Sequence, residues 1–332
     1  IVFNCKESND LMHVFWFKDS VTGHLKQVDA LLTQLQKEVQ LSLSSINCDK
    51  KNNAVDILQS TLIRVDNENL PIVLIGAGHG VYPKIISSKK FIKQTLDLDS
   101  ISIAIMCPSR NITAFDLICA PEHDFIKRIV PKNVITYQGA LASPSFTASD
   151  DKKAIIAIGG KSKHYKFVEE VVLMQLQYVL NIHPNHDFKI FNSRRTPQSL
   201  NARIEDELKN FSNARFIDIN HPNDVSFDAS LNESSLKFVT PDSANLVFES
   251  LSTHGKTYLI QIESPSYRRW FGSKKIRSTM NELVISKRVG VVSLLAKKNN
   301  LNISKIENPH PFLEPLAEVE KVSFAIQKYL RD

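Results

Sequence analysis

The chain has 332 residues, about twice the usual length of one domain, so two domains are expected. Hydrophobic residues make up 42% and charged residues 23%, which excludes a disordered chain, a collagen-like fibre and a small disulfide-stapled scaffold. Forty-one basic against thirty-five acidic side chains leave a net +6. That excess is too slight for a dedicated nucleic-acid binder, so no nucleic-acid partner is expected, but it suits phosphorylated substrates or an anionic membrane surface. Cys5, Cys48, Cys107 and Cys119 show no CxxC spacing and read as reduced thiols of an intracellular chain. No apolar run approaches the ~18–20 residues that span a bilayer, so the expectation is a cytoplasmic protein, soluble or peripheral to the cell membrane.

In chain order, Val14-Phe-Trp-Phe17 reads as a buried strand, followed after Gly23 by a helix with Val28, Leu31, Leu32, Leu35 and Val39 on one face. Ile72 to Ile75, Ile101 to Met106, Phe115 to Cys119 and Val134 to Tyr137 are further strands. Such runs, without clean alternation, predict a parallel sheet covered on both faces. The stretch LASPSFTASDDK is small, polar and proline-bearing, and predicts a linker over 143–153 between domains at 1–142 and 154–310. The rhythm then restarts with a strand over Ala154 to Ile158, Gly159-Gly160, and a helix carrying Val168, Val171, Val172, Leu176 and Val179. Strands at Phe188 to Phe191, Arg215 to Ile219, Leu236 to Val239 and Thr257 to Ile262 alternate with helices at Pro197 to Asn210 and Asp242 to Thr253. An amphipathic helix over Phe312 to Leu330 closes the chain, within a final segment 311–332. The fold class is α/β, with two doubly wound domains whose ligands belong beyond the carboxyl ends of the strands.

Three strand-end loops of the second domain suit an anion. Gly159, Gly160, Lys161, Ser162 and His164 lie between strand and helix, where glycines let backbone N–H groups face a phosphate. The GxxxxGK[ST] spacing of a Walker loop is absent, and an ordinary turn with exposed lysines is the plainer alternative. Ser193, Arg194, Arg195 and Thr196 precede Pro197, a pattern that predicts a threonine N-cap and proline at the first helical position, with two guanidinium groups beside them. Thr240-Pro241 repeats the pattern ahead of Asp242 and Ser243, and Glu249 follows Asp242 by seven residues, on the same face if both are helical. A carboxylate there suits the hydroxyls of a ribose or sugar. Together the loops predict a nucleotide-diphosphate site.

In the first domain, Lys18, Asp19, Gly23, His24 and Gln27 surround the first strand–helix turn, with His24 or Asp19 as candidate catalytic acid–base group and Lys18, Gly23 and Gln27 as acceptor contacts. Glu122 and His123, in PEHD after a later strand, are alternative acid–base groups or would orient His24. Gly76-Ala-Gly78-His-Gly80 imitates a dinucleotide fingerprint, but Val81 takes the third glycine's place, so a nicotinamide cofactor is not expected. His183 and His186 lack companion ligands, and no metal is expected. Tyr267 to Arg277 packs five cations among three aromatics and suits an anionic lipid surface or an ordinary exposed loop.

GHLKQ, FDLICAPEHD, NVITYQGAL, IAIGGKSKHYKF, SRRTP and the DS…E helix ending in GKTYLI occur in order along most of the chain. This set resembles the mitochondrial fission ELM-like family, also called the ELM/GtrOC glycosyltransferases. Asp19-Ser20 stands where that family usually has Asp-Gly, and Gly255 follows Glu249 by six residues rather than the usual five. The resemblance implies a GT-B-like fold, two Rossmann-like domains facing a cleft, with the last helix crossing back to the first domain. It also implies a nucleotide-sugar co-substrate held by Gly159 to His164, Ser193 to Thr196, Asp242, Ser243 and Glu249. The expected function is sugar transfer to an envelope glycan or lipid-linked acceptor, such as lipopolysaccharide core. A non-catalytic binding protein and a sugar-nucleotide isomerase are the alternatives.

Overall fold

The strand–turn–helix rhythm builds two parallel sheets. The computed structural model describes residues 12–49, 71–125, 128–162, 164–221, 224–263, 274–296 and 302–331. It divides into unit 1, Ile1–Ser143 with Ala317–Asp332, and unit 2, Pro144–Leu316. Most of the basic-aromatic stretch that begins at Tyr267 lies outside the described residues, as does Cys5.

Unit 1 contains β1 (Met12–Lys18), α1 (Thr22–Leu35), β2 (Leu41–Asn47), β3 (Ile72–Ala77), α2 (Tyr82–Leu96), β4 (Ser100–Ile105), β5 (Leu117–Pro121) and β6 (Val134–Tyr137). The last helix, α8 (Glu318–Arg331), returns to it. The strands form one parallel sheet in the order β2-β1-β3-β4-β5-β6. Strand side chains alternate between faces, so β1 sends Val14 and Trp16 to one core and Phe15 and Phe17 to the other. The first core is closed by Leu31 and Leu35 of α1 and by Val319, Val322, Ile326 and Leu330 of α8. Each such side chain contributes roughly 1.5–3 kcal/mol when fully buried. This accounts for the return of the chain end. The helix starts at Glu318 rather than Phe312, because Pro315 offers no N–H and disfavours helical backbone before it. Phe312 is thus outside the helix and 86% exposed, and Phe324, expected on the apolar face, is 71% exposed.

Unit 2 contains β7 (Asp150–Ala157), α3 (Glu169–Ile182), β8 (Asp187–Phe191), α4 (Gln198–Glu207), β9 (Ala214–Ile217), α5 (Phe227–Glu233), β10 (Ser234–Val239), α6 (Ala244–Leu251), β11 (Lys256–Ile260), α7 (Lys274–Ile285), β12 (Gly290–Ala296) and β13 (Asn302–Glu307). Its sheet runs β13-β12-β11-β10-β7-β8-β9, parallel except for β13. The last four residues of the predicted linker, 150–153, are strand, since β7 begins at Asp150. The helix faces of Val172, Leu176 and Val179 pack on Ile156, Phe188 and Phe238.

Each sheet reverses its strand order once. In unit 1 the reversal lies between β1 and β3, and in unit 2 between β7 and β10. Crevices beyond the carboxyl ends at such points are where open α/β sheets bind ligands.

Candidate functional site

At the β7/β10 reversal the three predicted loops of unit 2 meet and are tied into one another. Gly159 N–H donates to Thr240 Oγ1 at 2.7 Å, and Gly160 N–H donates to Asp242 Oδ2 at 3.0 Å. Lys161 N–H donates to the Arg195 carbonyl at 3.3 Å. The expectation that this turn presents its amides to an anion therefore fails, because three consecutive N–H groups are used within the protein. The glycines serve close approach instead. A Cβ on Gly159 would lie 2.3 Å from the Asp242 carboxylate oxygens, and one on Gly160 would lie 2.0 Å from the Arg195 carbonyl oxygen.

Both predicted threonine caps are also replaced. α4 begins at Gln198 with Pro197 as its N-cap, and α6 begins at Ala244 with Ser243 as its N-cap. Thr196 Oγ1 donates toward the Ile158 and Gly159 carbonyls and accepts from Ser193 N–H at 2.8 Å. Ser193 Oγ meets the same hydroxyl at 3.1 Å. Ser193 and Thr196 thus fasten loop to loop rather than offering hydroxyls to a ligand. A buried carbonyl left without a donor costs more than an uncapped helix N-terminus near solvent, which decides where these hydroxyls go.

What the knot leaves at its surface is cationic. Arg194 and Lys161 are exposed, while Arg195 donates through one nitrogen to Asp242 Oδ2 at 2.8 Å and through another to the Lys161 carbonyl at 3.2 Å. The Asp242 side chain is wholly buried and the Arg195 side chain is 42% exposed, so the carboxylate fixes the guanidinium from beneath while leaving one edge outward. Ser162 Oγ accepts from His164 N–H at 3.2 Å in the same turn. Asp242 precedes α6, so its seven-residue spacing from Glu249 does not place both on one helix face. Glu249 is a half-buried carboxylate near the far end of that helix.

The β1/β3 reversal of unit 1 carries the second constellation. His24 lies in the first turn of α1, and its Nδ1 is 2.7 Å from Asp19 Oδ2. Asp19 Oδ1 accepts from Val21 N–H at 3.1 Å, which fixes the carboxylate. The carboxylate selects the tautomer with hydrogen on Nδ1 and leaves Nε2 as the acceptor. The His24 side chain is 24% exposed and that of Asp19 12%, so the ring can be reached by a reactant. Sequence reasoning missed Gly78, which floors this pair. Its φ is +100°, and a Cβ there would lie 2.5 Å from His24 Nδ1 and 2.8 Å from Asp19 Oδ2. The signal was present as the glycine pattern after β3.

Gln27 is corrected. It is 4% exposed; its Oε1 accepts from Tyr137 Oη at 3.0 Å and from Leu141 N–H at 3.2 Å, and its amide donates to the Gly23 carbonyl at 3.3 Å. It braces the sheet edge and offers nothing to an acceptor. Lys18 lies half-buried with its ammonium 3.7 Å from the Trp16 ring centre. Glu122 and His123 occupy a 3-10 turn after β5, three strands from β1 and so ~14 Å along the sheet. Glu122 is 3.9 Å from Lys321, and the orienting role offered to it falls to Asp19. Among the described residues, no group of three or more metal-ligating side chains is arranged to hold an ion.

The model of the family described as Mitochondrial fission ELM1 matches residues 22–329. The chain belongs to that family. No curated protein sequence matches it. Among solved structures, UDP-GlcNAc 2-epimerase from Methanocaldococcus jannaschii is 9% identical with a TM-score of 0.50, covering 96% of this chain and 100% of its own. A Listeria monocytogenes protein assigned as a UDP-N-acetylglucosamine 2-epimerase is 9% identical with a TM-score of 0.52, covering 81% and 82%. E. coli heptosyltransferase WaaC with ADP is also similar, at 9% identity and a TM-score of 0.37, covering 82% and 98%. At these identities the likeness shows the fold. This family member has the GT-B-type fold, two Rossmann-like units.

Proposed function

We propose that this family member is a metal-independent glycosyltransferase that moves a sugar from a nucleotide sugar to an envelope glycan or lipid-linked acceptor, with lipopolysaccharide or lipooligosaccharide core as the acceptor class. The observation that carries the reading is the cationic knot at the β7/β10 reversal, where Asp242 holds Arg195 with one edge outward. As the bond between the sugar's anomeric carbon and the donor phosphate breaks, charge grows on the leaving diphosphate. Arg195, Arg194 and Lys161 stabilise that charge with groups already in place. Glu249 takes the ribose hydroxyls. The acceptor oxygen forms the new bond to the anomeric carbon and gives its proton to His24 Nε2, while Asp19 stabilises the imidazolium.

The test is a thermal-shift screen against nucleotides and nucleotide sugars, where a ligand at 100 times its Kd adds ~2.7 kcal/mol. Nucleotide release with envelope acceptors follows. Sugar-nucleotide isomerisation is the second reading, favoured by the near full-length likeness to a protein named UDP-GlcNAc 2-epimerase. A product of unchanged mass would select it, and stabilisation without turnover would select a binding protein.

A further inference from the structure

Unit 1 exposes an apolar and cationic surface that neither site uses. In the loop after β5, Ile129 is 95% exposed and Val130 44% exposed, beside the exposed cations Arg128 and Lys132. A β-branched apolar side chain almost wholly in water, with a second at its shoulder, gains nothing for the fold. The outer stripe of α8 repeats the composition. Lys321, Phe324, Lys328 and Arg331 follow at spacings of three, four and three, which is one helical face, and all are exposed. Phe324 stands 71% exposed amid those three cations. Glu122, in the turn that opens the loop, lies 3.9 Å from Lys321, so loop and helix share one side of unit 1. Glu318 Oε2 accepts from Gln138 N–H at 2.7 Å and lies 3.5 Å from the Lys321 ammonium, so Lys321 is flanked by two carboxylates and the stripe's outward charge rests on Lys328 and Arg331.

We infer that this side of unit 1, the Ile129-Val130 loop with the outer stripe of α8, docks the chain on an anionic lipid bilayer. Apolar tips enter the interface while the flanking ammonium and guanidinium groups meet lipid phosphates. Charge complementarity selects the occupant. An apolar protein partner would not need Arg128, Lys132, Lys328 and Arg331 around three apolar side chains. Among the described residues no helix is long and apolar enough to cross a membrane, so the contact is peripheral.

Vesicle sedimentation tests this without reference to nucleotide binding. The full chain is expected to sediment with vesicles of equal phosphatidylcholine and phosphatidylglycerol, to stay in solution with phosphatidylcholine alone, and to be released by high salt. Ile129→Asp should weaken binding roughly tenfold, and Lys328→Glu at least about fivefold, the usual worth of one cation near such a surface. Both positions are exposed, so circular dichroism and the melting temperature should match wild type. Equal binding to both vesicle types, binding to neither, or variants that bind as wild type does would overturn the assignment.

Discussion

Gly160→Ala is the sharpest perturbation of the unit 2 knot. The added methyl would lie 2.0 Å from the Arg195 carbonyl oxygen and 2.2 Å from its carbon, about 1.4 Å short of an ordinary 3.4 Å contact. Both neighbours are backbone, so relief requires the Arg195 loop to move, and overpacking of this kind costs ~1–3 kcal/mol. For a unit of this size that lowers Tm by roughly 2–12 °C, at about 2–4 °C per kcal/mol. The same displacement pulls Arg195 off Asp242, whose carboxylate it meets at 2.8 Å. Nucleotide-induced stabilisation should therefore fall further than Tm does. Gly80→Ala is the control, since a Cβ there meets nothing within 4 Å. Differential scanning calorimetry with and without nucleotide reads both quantities. If Gly160→Ala melted and bound like Gly80→Ala, the packing argument for the double glycine would be refuted.

Two further outcomes follow from the same geometry. His24→Ala should keep nucleotide binding and lose transfer by ~10²–10⁴-fold, measured as nucleotide release with acceptor. Wild-type turnover in that variant, with loss in Glu122→Gln, would move the base to the PEHD turn. Lys237, wholly buried, donates to the Ser250 carbonyl at 3.0 Å and to the Thr253 carbonyl at 2.9 Å, and burial pushes its ammonium down to about 7. Its ordinary value is 10.5, so between those limits the unfolded chain holds the proton more tightly. The group's destabilising contribution is absent above the upper limit and full below the lower one, so wild-type stability rises with pH across the interval. Lys237→Met should flatten that rise in urea titrations at several pH values, and an unchanged slope would assign the rise to other groups.

Ten strands and the two-unit α/β architecture were legible because buried parallel strands are short apolar runs bounded by turns. β2 was missed because its serines at alternate positions leave it a half-exposed strand at the sheet edge. β13 was missed because its two isoleucines, Ile303 and Ile306, are scattered among Asn302, Ser304, Lys305 and Glu307 in an antiparallel edge strand. β12 was missed too, although Gly290–Ala296 is an apolar run like the strands that were read. The site loops were legible as addresses and illegible as contacts. Thr-Pro before a helix spells a cap locally, but Thr196 and Thr240 each bond a loop residue more than thirty positions away. No local pattern encodes those distances. Gly78 was visible as a glycine but was weighed only against a phosphate motif, whereas its role depends on a histidine from another strand–helix turn.

The central claim is that the cationic knot binds the diphosphate of a nucleotide sugar, and isothermal titration calorimetry of wild type and Arg195→Ala tests it most directly. Wild type should bind at least one nucleoside diphosphate and its sugar conjugate. Arg195→Ala should lose ~1.5–3 kcal/mol of that affinity, the worth of a charge-assisted phosphate contact. Its unliganded Tm should fall as well, because the buried Asp242 carboxylate loses its guanidinium partner, so both titrations are made well below that Tm. Equal affinity in the two proteins, or no binding by wild type across the common nucleoside diphosphates, would contradict the account.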